Sequence, residues 1–351
     1  MSFKLIPFKS CDLGDQFFDS LKDDYPGFDE WFKRKSEEGK FAYVWKEEGQ
    51  IHGFLYIKDE PEIESVGDLP AKPRMKIGTL KVDDSIGGQR IGEGAVGLAL
   101  WKWAKTDLRQ IYVTVFPKHD SLIKTLEGFG FRKVTMKGGE EVYLKDRGDL
   151  DISDAKKYFP FIRKGGVGRI IPINHDFHDR MFPYSEFKNT DQSVDLMPVS
   201  NGVTKNYLAY TGMKLDYRIH DLVFIYRISE DESNKRYKSA ISSYCVVSAF
   251  KTVKSGGVAN LDKEAFLHLV GNKTVYTDEE LNELYDKPDL HMISLMYCGY
   301  FGSGNNVNLD TLRKIGAWKK DTHPYQMKLT SEDIEAVFKE GGINVQDVVI
   351  N

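Results

Sequence analysis

Hydrophobic residues in the first part of the chain recur with two periods, one typical of helices and one typical of strands. FFDSL at 17–21 and FDEWF at 28–32 carry apolar residues at helical spacing, which predicts helices. FAYVW at 41–45 and IHGFLYI at 51–57 are rich in β-branched and aromatic residues and flank the polar turn EEGQ. This pattern predicts a β-hairpin.

Strands and helices then alternate. KIGTLKV at 76–82 predicts a strand, and EGAVGLALWKWAKT after it predicts a helix with a broad buried face. QIYVTVF at 110–116 predicts another strand, and HDSLIKTLEGFGF predicts a short helix that glycine residues end. With the closing strand EVYLK, the order is ββ–β–α–β–α–β. The first part is therefore predicted to be an α/β domain, a mixed sheet flanked by helices.

A charged segment that contains GGVG, residues 146–169, separates this part from the rest of the chain. We expect one domain at residues 1–150 and a second at residues 160–351. In the second part, strand-like runs such as GRIIPI, DLVFIYRI and ISSYCVVSAF precede helical patterns such as KEAFLHLV and SEDIEAVFKEG. This order predicts an α+β or small-barrel domain.

Composition narrows the class of protein. The 351 residues are 41% hydrophobic, which excludes wholesale disorder, and their net charge of −4 argues against a globally cationic nucleic-acid binder. Cys11, Cys245 and Cys298 are far apart and show no CxxC spacing, which predicts a reducing compartment without a disulfide framework or a zinc site. No signal-peptide pattern and no membrane-length apolar run are found, so we expect a soluble, cytoplasmic protein.

The loop GGQRIGEGA at 87–95 lies between a predicted strand and a predicted helix. A loop in this place presents backbone N–H groups beside the positive end of the helix dipole, an arrangement that binds phosphate. Gly92 and Gly94 would let the backbone approach a ligand, because neither has a Cβ. The loop lacks the GKS or GKT of a Walker loop and the third glycine of the Rossmann fingerprint. The alternative is a glycine turn that only caps the helix.

Two motifs in this part resemble the GNAT superfamily of N-acetyltransferases. The first is glutamine, two free positions, glycine, one free position and glycine at the start of the central helix, which Gln89 to Gly94 match. The second is a strand, a short helix and a terminal Gly-Phe, which IYVTVFPKHDSLIKTLEGFGFRKV resembles at Gly130-Phe131. The resemblance covers about residues 75–145, and the preceding hairpin suits the front of the same fold.

The resemblance implies acetyl-CoA as the acetyl donor and no metal. The pyrophosphate would lie on the backbone of the glycine loop, Arg90 could add a charge-assisted contact, and the pantetheine arm would pair with the preceding strand. A neutral amine would attack the thioester directly, which requires a base or a water relay and an N–H donor at the carbonyl oxygen. The residues implied to contact the cofactor are Leu80, Lys81, Val82, Gln89, Arg90, Ile91, Gly92, Glu93, Gly94 and Ala95.

Leu126 stands where many members of that family have a tyrosine that protonates the departing thiolate. The replacement has three interpretations: another acid, no acid, or lost catalysis. His119 and Tyr143 are the candidate catalytic acids, although His119 could instead cap the short helix and Tyr143 could be a half-buried strand residue. The candidate bases are Asp83, Asp84, Glu62 and Glu64, and nothing in the sequence selects among them.

The second part resembles the PUA-like superfamily, whose ASCH and EVE members are barrels that bind RNA or modified bases. HDLVFIYRI, a polar break and a long strand that includes YCVVSAF carry this resemblance, and Asp221 matches the aspartate that often opens such a strand. Basic residues interleaved with aromatic ones suit phosphate contact and base stacking. The candidate nucleic-acid-binding residues are Arg163, Lys164, Arg169, Arg227, Lys235 and Arg236. The alternative is a solvated loop beside ordinary core aromatics.

The segment NHDFHD contains side chains of the kind that bind metals, namely His175, Asp176, His178 and Asp179. No second cluster in the sequence completes them, so a polar loop without a metal is expected.

Three functions are consistent with the sequence. The first is an N-acetyltransferase whose second domain presents RNA or aminoacyl-tRNA, an outline that resembles acetyltransferase toxins. In the second, the acceptor is a protein amine or a small molecule and the second domain is an accessory. In the third, the chain is a nucleic-acid-binding module whose acetyltransferase half has lost turnover. We expect a monomer or a homodimer.

Overall fold

The computed structural model describes residues 3–58, 62–83, 87–183, 185, 198–231 and 233–350. The chain folds as two compact units, which we term unit 1 (Met1–Leu150) and unit 2 (Asp151–Asn351). In the part of the chain that the structure describes, no helix combines the length and apolar character needed to cross a membrane.

Unit 1 contains strands and helices in alternation. Its strands are β1 (Phe3–Pro7), β2 (Phe41–Glu47), β3 (Gln50–Ile57), β4 (Glu62–Val66), β5 (Leu69–Val82), β6 (Gln110–Val115), β7 (Arg132–Lys137) and β8 (Glu140–Asp146). Its α-helices are α1 (Asp19–Asp24), α2 (Phe28–Glu37), α3 (Ile91–Ala104) and α4 (Asp120–Gly128). Short 3₁₀ turns occupy Phe8–Ser10 and Gln16–Phe18.

One mixed sheet organises unit 1, in the order β1-β2-β3-β5-β6-β8-β7, with β4 paired to β5. The neighbours β5 and β6 are parallel, and α3 connects them. The remaining pairs are antiparallel, including the β2–β3 hairpin that the sequence predicts. The predicted mixed α/β sheet flanked by helices is therefore confirmed for this unit.

Aromatic side chains fill the core beneath α1 and α2. Phe8 lies at its centre, with its ring 5.0 Å from that of Phe32, 5.4 Å from Phe54 and 5.2 Å from Tyr56. Most of these pairs are edge-on or tilted, which is the arrangement that aromatic quadrupoles prefer. This packing holds the two helices on the sheet.

Unit 2 combines one large sheet with short helices. Its strands are β9 (Ile162–Arg163), β10 (Gly168–Asn174), β11 (Thr204–Ala209), β12 (Leu222–Ile228), β13 (Ala240–Ser255), β14 (Val258–Ala259), β15 (Leu290–Tyr300), β16 (Val307–Asn308) and β17 (Val349–Ile350). Its α-helices are α5 (Ala155–Tyr158), α6 (His175–Met181), α7 (Pro198–Asn201), α8 (Lys235–Lys238), α9 (Lys263–Val270), α10 (Asp278–Tyr285), α11 (Leu309–Lys314), α12 (Ser331–Glu340) and α13 (Val345–Val348). Pro324–Gln326 form a 3₁₀ turn.

The large sheet of unit 2 has the order β10-β12-β13-β15-β11, with β14 and β16 on β13. Register shifts along β13 and β15 bend both strands. The end strands β10 and β11 do not pair with each other in the described residues, so the sheet stays open where the sequence predicts a small β-barrel. The strands β9 and β17 form a separate parallel pair.

All three cysteines are buried and free. Cys11 belongs to the aromatic core of unit 1, whereas Cys245 on β13 lies beside β15, the strand that carries Cys298.

Candidate active site

A groove opens in the sheet of unit 1 where β5 parts from β6. The register of β5 with β6 runs only from Arg74 to Ile77, while its register with β3 continues to Val82. Gly78 is the extra residue of a bulge on β5, and a Cβ there would lie 2.8 Å from the Tyr56 ring. A bulge bends its own strand, and beyond this glycine β5 no longer pairs with β6 in the described residues. We term the opening between residues 79–82 of β5 and the end of β6 the groove.

The N-terminus of α3 follows β5 at the end of this groove. The first hydrogen bond within the helix runs from the Gly94 N–H to the Arg90 carbonyl, 3.1 Å away, so the N–H groups of Ile91 and Gly92 precede it. Among the described residues, a Cβ built on Gly92 meets no atom within 4 Å, so there is space beside this position at the start of the helix.

Arg90 does not extend into that space. Its Nε and Nη2 donate to the Glu93 carboxylate at 3.0 and 2.6 Å, and both side chains are largely buried. Ala95 is also buried, and the Gly94 N–H is used inside the helix. The predicted contacts of residues 89–95 with the cofactor stay a prediction, and the N–H groups of Ile91 and Gly92 are the ones that precede the first helical hydrogen bond.

Lys81 connects the end of β5 to α1. Its Nζ donates to the Phe17 carbonyl and to Ser20 Oγ, and it lies 4.7 Å from the centre of the Phe17 ring. Leu80 and Val82 on either side of it are half-buried.

The C-terminal residue of α1 contacts the segment that follows β6. Lys118 Nζ donates to Asp24, and His119 Nε2 lies 3.2 Å from Asp24 Oδ2. Burial raises the pKa of Asp24, but the hydrogen bonds and charges of these two cations outweigh burial and hold the pKa below its ordinary value. Tyr25, next along the chain, donates to Glu140 Oε1 at 2.7 Å. Residues 17–25 thus contact the carboxyl ends of both parting strands.

The two predicted acids have different environments. His119 precedes α4, has a side chain 42% exposed and makes no side-chain capping hydrogen bond, so it is a partner of Asp24 rather than a helix cap. Tyr143 is buried on β8 opposite Val113, and its hydroxyl donates to Glu141 Oε2 at 3.1 Å. Burial, together with the Glu141 carboxylate, raises the pKa of Tyr143 to about 12. Leu126 is completely buried in α4.

Among the predicted bases, Asp83 has a polar partner at the end of the groove. Its Oδ2 lies 3.1 Å from Nδ1 of His52, which sits on β3 beside the last residues of β5. Glu64 is exposed on β4, whereas Asp84 and the Glu62 side chain lie outside the described residues. Sequence reasoning missed His52, whose only signal is a histidine inside the apolar run IHGFLYI.

Several residues of the predicted nucleic-acid patch of unit 2 have internal partners. Arg169 is 2% exposed and donates to Asp216 and Asp221 at 2.8 and 3.2 Å. Arg227 donates to both oxygens of Asp179. Arg169 therefore cannot contact RNA from the surface, because its charge is neutralised inside the unit.

The rest of that patch is unevenly exposed. Arg236 is exposed and also pairs with Asp310, Lys164 is exposed, and Arg163 and Lys235 are half-buried. The aromatic residues at Tyr158, Phe159, Phe161 and Tyr226 are buried and cannot stack on bases, while Tyr237 on α8 is 61% exposed. Residues Lys235–Lys238, the helix α8, are thus the exposed part that joins cations to an aromatic ring.

Comparison with known proteins bears mainly on unit 1. Residues 9–131 match the model of the acetyltransferase (GNAT) family. This match spans the aromatic core, the parting strands and the loop before α3, and it supports acetyl transfer by unit 1. No curated protein matches the chain.

Solved structures resemble parts of the chain at low identity. A serine-to-alanine mutant of ZmASCH from Zymomonas mobilis is 11% identical, with 49% of this chain and 94% of that chain covered and a TM-score of 0.32. Campylobacter jejuni N-acetyltransferase PseH in complex with acetyl coenzyme A is 11% identical, with 41% and 99% covered and a TM-score of 0.29. Arabidopsis thaliana NAA60 in complex with acetyl-CoA is 15% identical, with 41% and 99% covered and a TM-score of 0.30. TM-scores of this size carry no inference about substrates.

Proposed function

We propose that unit 1 is an acetyl-CoA-dependent N-acetyltransferase that acetylates a primary amine. The proposal is carried by one observation: the groove where β5 parts from β6 ends at the N-terminus of α3, so a strand edge and an anion-binding helix end adjoin. The family match over residues 9–131 supports it.

The chain offers backbone contacts to both parts of acetyl-CoA. The N–H groups of Ile91 and Gly92 would hold the pyrophosphate, and the open space beside Gly92 fits such an approach. Residues 79–82 of β5 would line the pantetheine arm as an added strand does. Bound there, acetyl-CoA supplies an acyl thioester that a neutral amine can attack.

Asp83 and His52 are the groups we assign to deprotonation of the acceptor ammonium. A histidine paired with a carboxylate is a common general-base arrangement. Asp83 directly follows Val82, and His52 lies on β3, the strand on the other side of β5 from β6. We expect Asp83→Asn to lower kcat by about a hundredfold and to change the pH–rate profile, with exposed Asp107→Asn as the control. An unchanged profile would remove Asp83 from this role.

His119 is the acid we assign to the departing thiolate. Its ring is exposed at the end of β6, whereas Tyr143 is buried and its hydroxyl is engaged by Glu141. The assistance is modest, because thiols with pKa values near about 8.5 leave readily as thiolates. Leu126 therefore does not argue against turnover. Since Leu126 is fully buried, Leu126→Tyr would overpack α4, which makes it a poor test of the missing acid.

Gly92→Val tests the cofactor site. The Cβ of a valine there would meet no atom of the described residues within 4 Å, and its two methyl groups would occupy space beside the start of the helix. We expect acetyl-CoA affinity, measured by isothermal titration calorimetry, to fall at least about tenfold, or about 1.4 kcal/mol. Gly92→Ala is the graded control and should lose less affinity. Unchanged binding in a folded Gly92→Val chain would contradict the assignment.

An amine carried on RNA is a second candidate acceptor, favoured by the exposed Tyr237 between the basic residues of α8. Tyr237→Ala should weaken RNA binding by about 1–3 kcal/mol for a lost stacking contact, measured by RNA titration of the full chain. Exposed Tyr210→Ala is the control. If the chain binds no RNA at low salt, where phosphate attraction is strongest, the acceptor is a protein amine or a small molecule.

A further inference from the structure

Two neighbouring strands of unit 2 bring histidine and carboxylate side chains together. The strands β10 and β12 are parallel, and their register runs through to Asn174 opposite Ile228. His175 and Asp176 follow β10 as the first residues of α6, and Glu230 comes shortly after the end of β12. Because the two strands end at the same level, the residues that follow them lie side by side.

The side-chain atoms of these three residues converge on one point. His175 Nε2 lies 2.6 Å from Asp176 Oδ1 and 2.6 Å from Glu230 Oε1. One ligand atom from each residue lies within 4.8 Å of the other two. The imidazole is half-buried, and the two carboxylates are 72% and 74% exposed.

Two carboxylates approach the same imidazole nitrogen in this cluster. A divalent ion at the same point would neutralise both carboxylates and accept the nitrogen lone pair. We propose that His175, Asp176 and Glu230 form a binding site for a divalent transition-metal ion such as Zn²⁺.

The ligand types set the class of ion. One imidazole nitrogen with carboxylate oxygens suits Zn²⁺ and similar ions, whereas Mg²⁺ and Ca²⁺ prefer oxygen ligands alone. Zn²⁺ lies about 2.0–2.2 Å from such ligands, so in a tetrahedral site the ligand atoms stand about 3.3 Å apart. The two carboxylates are largely exposed, so their side chains have room to rotate toward that spacing. The remaining coordination position would face solvent.

The other half of NHDFHD fixes the helix that carries the site. His178 is completely buried, with Nδ1 2.7 Å from Asp179 Oδ1 and Nε2 2.7 Å from Ser242 Oγ. Asp179 in turn accepts two hydrogen bonds from Arg227 on β12. This network holds α6 against β12 and β13, so the position of His175 relative to Glu230 is set before any ion binds.

Zinc titration of the full chain tests the site. After removal of metals with a chelator, calorimetry with Zn²⁺ should give one ion per chain, and Mg²⁺ should give no binding. His175→Ala and Glu230→Gln should each weaken Zn²⁺ binding at least about tenfold. His268→Ala and Glu264→Gln, both exposed on α9, are the matched controls and should bind as the unaltered chain does.

Two results would overturn the proposal. One is the absence of Zn²⁺ binding by the unaltered chain, and the other is Zn²⁺ binding that neither substitution weakens, since the ion would then lie elsewhere. Circular dichroism checks that the variants fold. If His175→Ala does not, the exposed and nearly isosteric Glu230→Gln decides the question.

Discussion

Each unit contains a pair of neighbouring parallel strands with a helix next in the chain after one of them, and the two pairs end differently. In unit 1, β5 parts from β6 after Ile77, and a groove opens toward the N-terminus of α3. In unit 2, β10 stays paired with β12 through Asn174, and side chains from both strand ends meet. We propose that the first arrangement presents backbone to a long ligand and that the second presents side chains to a small ion.

One local feature accounts for the difference. Gly78 creates a bulge in β5, whereas the register of β10 with β12 is continuous over its whole length. A bulge bends its strand away from its neighbour, so the same parallel pairing leads to a groove in one unit and to a convergence of side chains in the other.

Loss of the buried ion pair between β10 and the residue before β12 should have the largest effect on the stability of unit 2. Arg169 on β10 donates to Asp221, which precedes β12 and is 3% exposed. Arg169→Ala leaves that buried carboxylate without its cation, and we expect the free energy of unfolding of unit 2 to fall by about 3–5 kcal/mol. Chemical unfolding followed by circular dichroism measures this, with exposed Lys164→Ala as the control. Equal effects of the two substitutions would contradict the anchoring role.

Abolishing the bulge should affect unit 1 in two ways. Gly78→Val forces a side chain against the Tyr56 ring, which we expect to lower the free energy of unfolding by about 1–3 kcal/mol. The altered path of β5 should also weaken acetyl-CoA binding in calorimetry. Thr79→Val, at the next position, is the control. If Gly78→Val keeps full affinity, the bulge does not shape the groove.

The contact between α1 and the end of β6 should have the smallest effect, and it should depend on pH. The pKa of Asp24 is lowered in the folded chain, so its contribution to stability is present above the ordinary value of 3.8 and is lost as the pH falls through the folded pKa. Asp24→Asn should therefore destabilise unit 1 by up to about 1 kcal/mol near neutral pH and by nothing in strong acid. Unfolding curves at both pH values test this, with exposed Asp23→Asn as the control. A pH-independent difference would mean that the charge of Asp24 is not the cause.

Local patterns predicted those parts of the fold whose partners are close in sequence. The β2–β3 hairpin and α3 follow from short-range periodicity, and both are confirmed. The first half of β5 was missed, because Pro70 and Pro73 argue against a strand although β4 pairs with it there. The predicted barrel of unit 2 depends on which end strands pair, and no local pattern fixes that choice.

The candidate sites also differ in whether their residues are close together in sequence. The loop before α3 could be read from glycine spacing, since all its residues are adjacent in the chain. His52 and Glu230 could not be found, because each meets its partner only through strand pairing between distant segments. Arg169 is a candidate nucleic-acid contact by sequence, which does not reveal the carboxylates that surround its buried guanidinium in the fold.

The buried cysteines give each unit its own reporter of unfolding. Thiol reagents attack the thiolate, and burial raises the pKa of the Cys11 thiol to about 11 and those of Cys245 and Cys298 above their usual range. The folded chain should therefore react slowly with these reagents, because a thiol can be modified only after local or global unfolding exposes it. Because Cys11 lies in unit 1 and the other two lie in unit 2, peptide mass spectrometry of a timed alkylation yields two separate opening rates from one sample of the natural sequence.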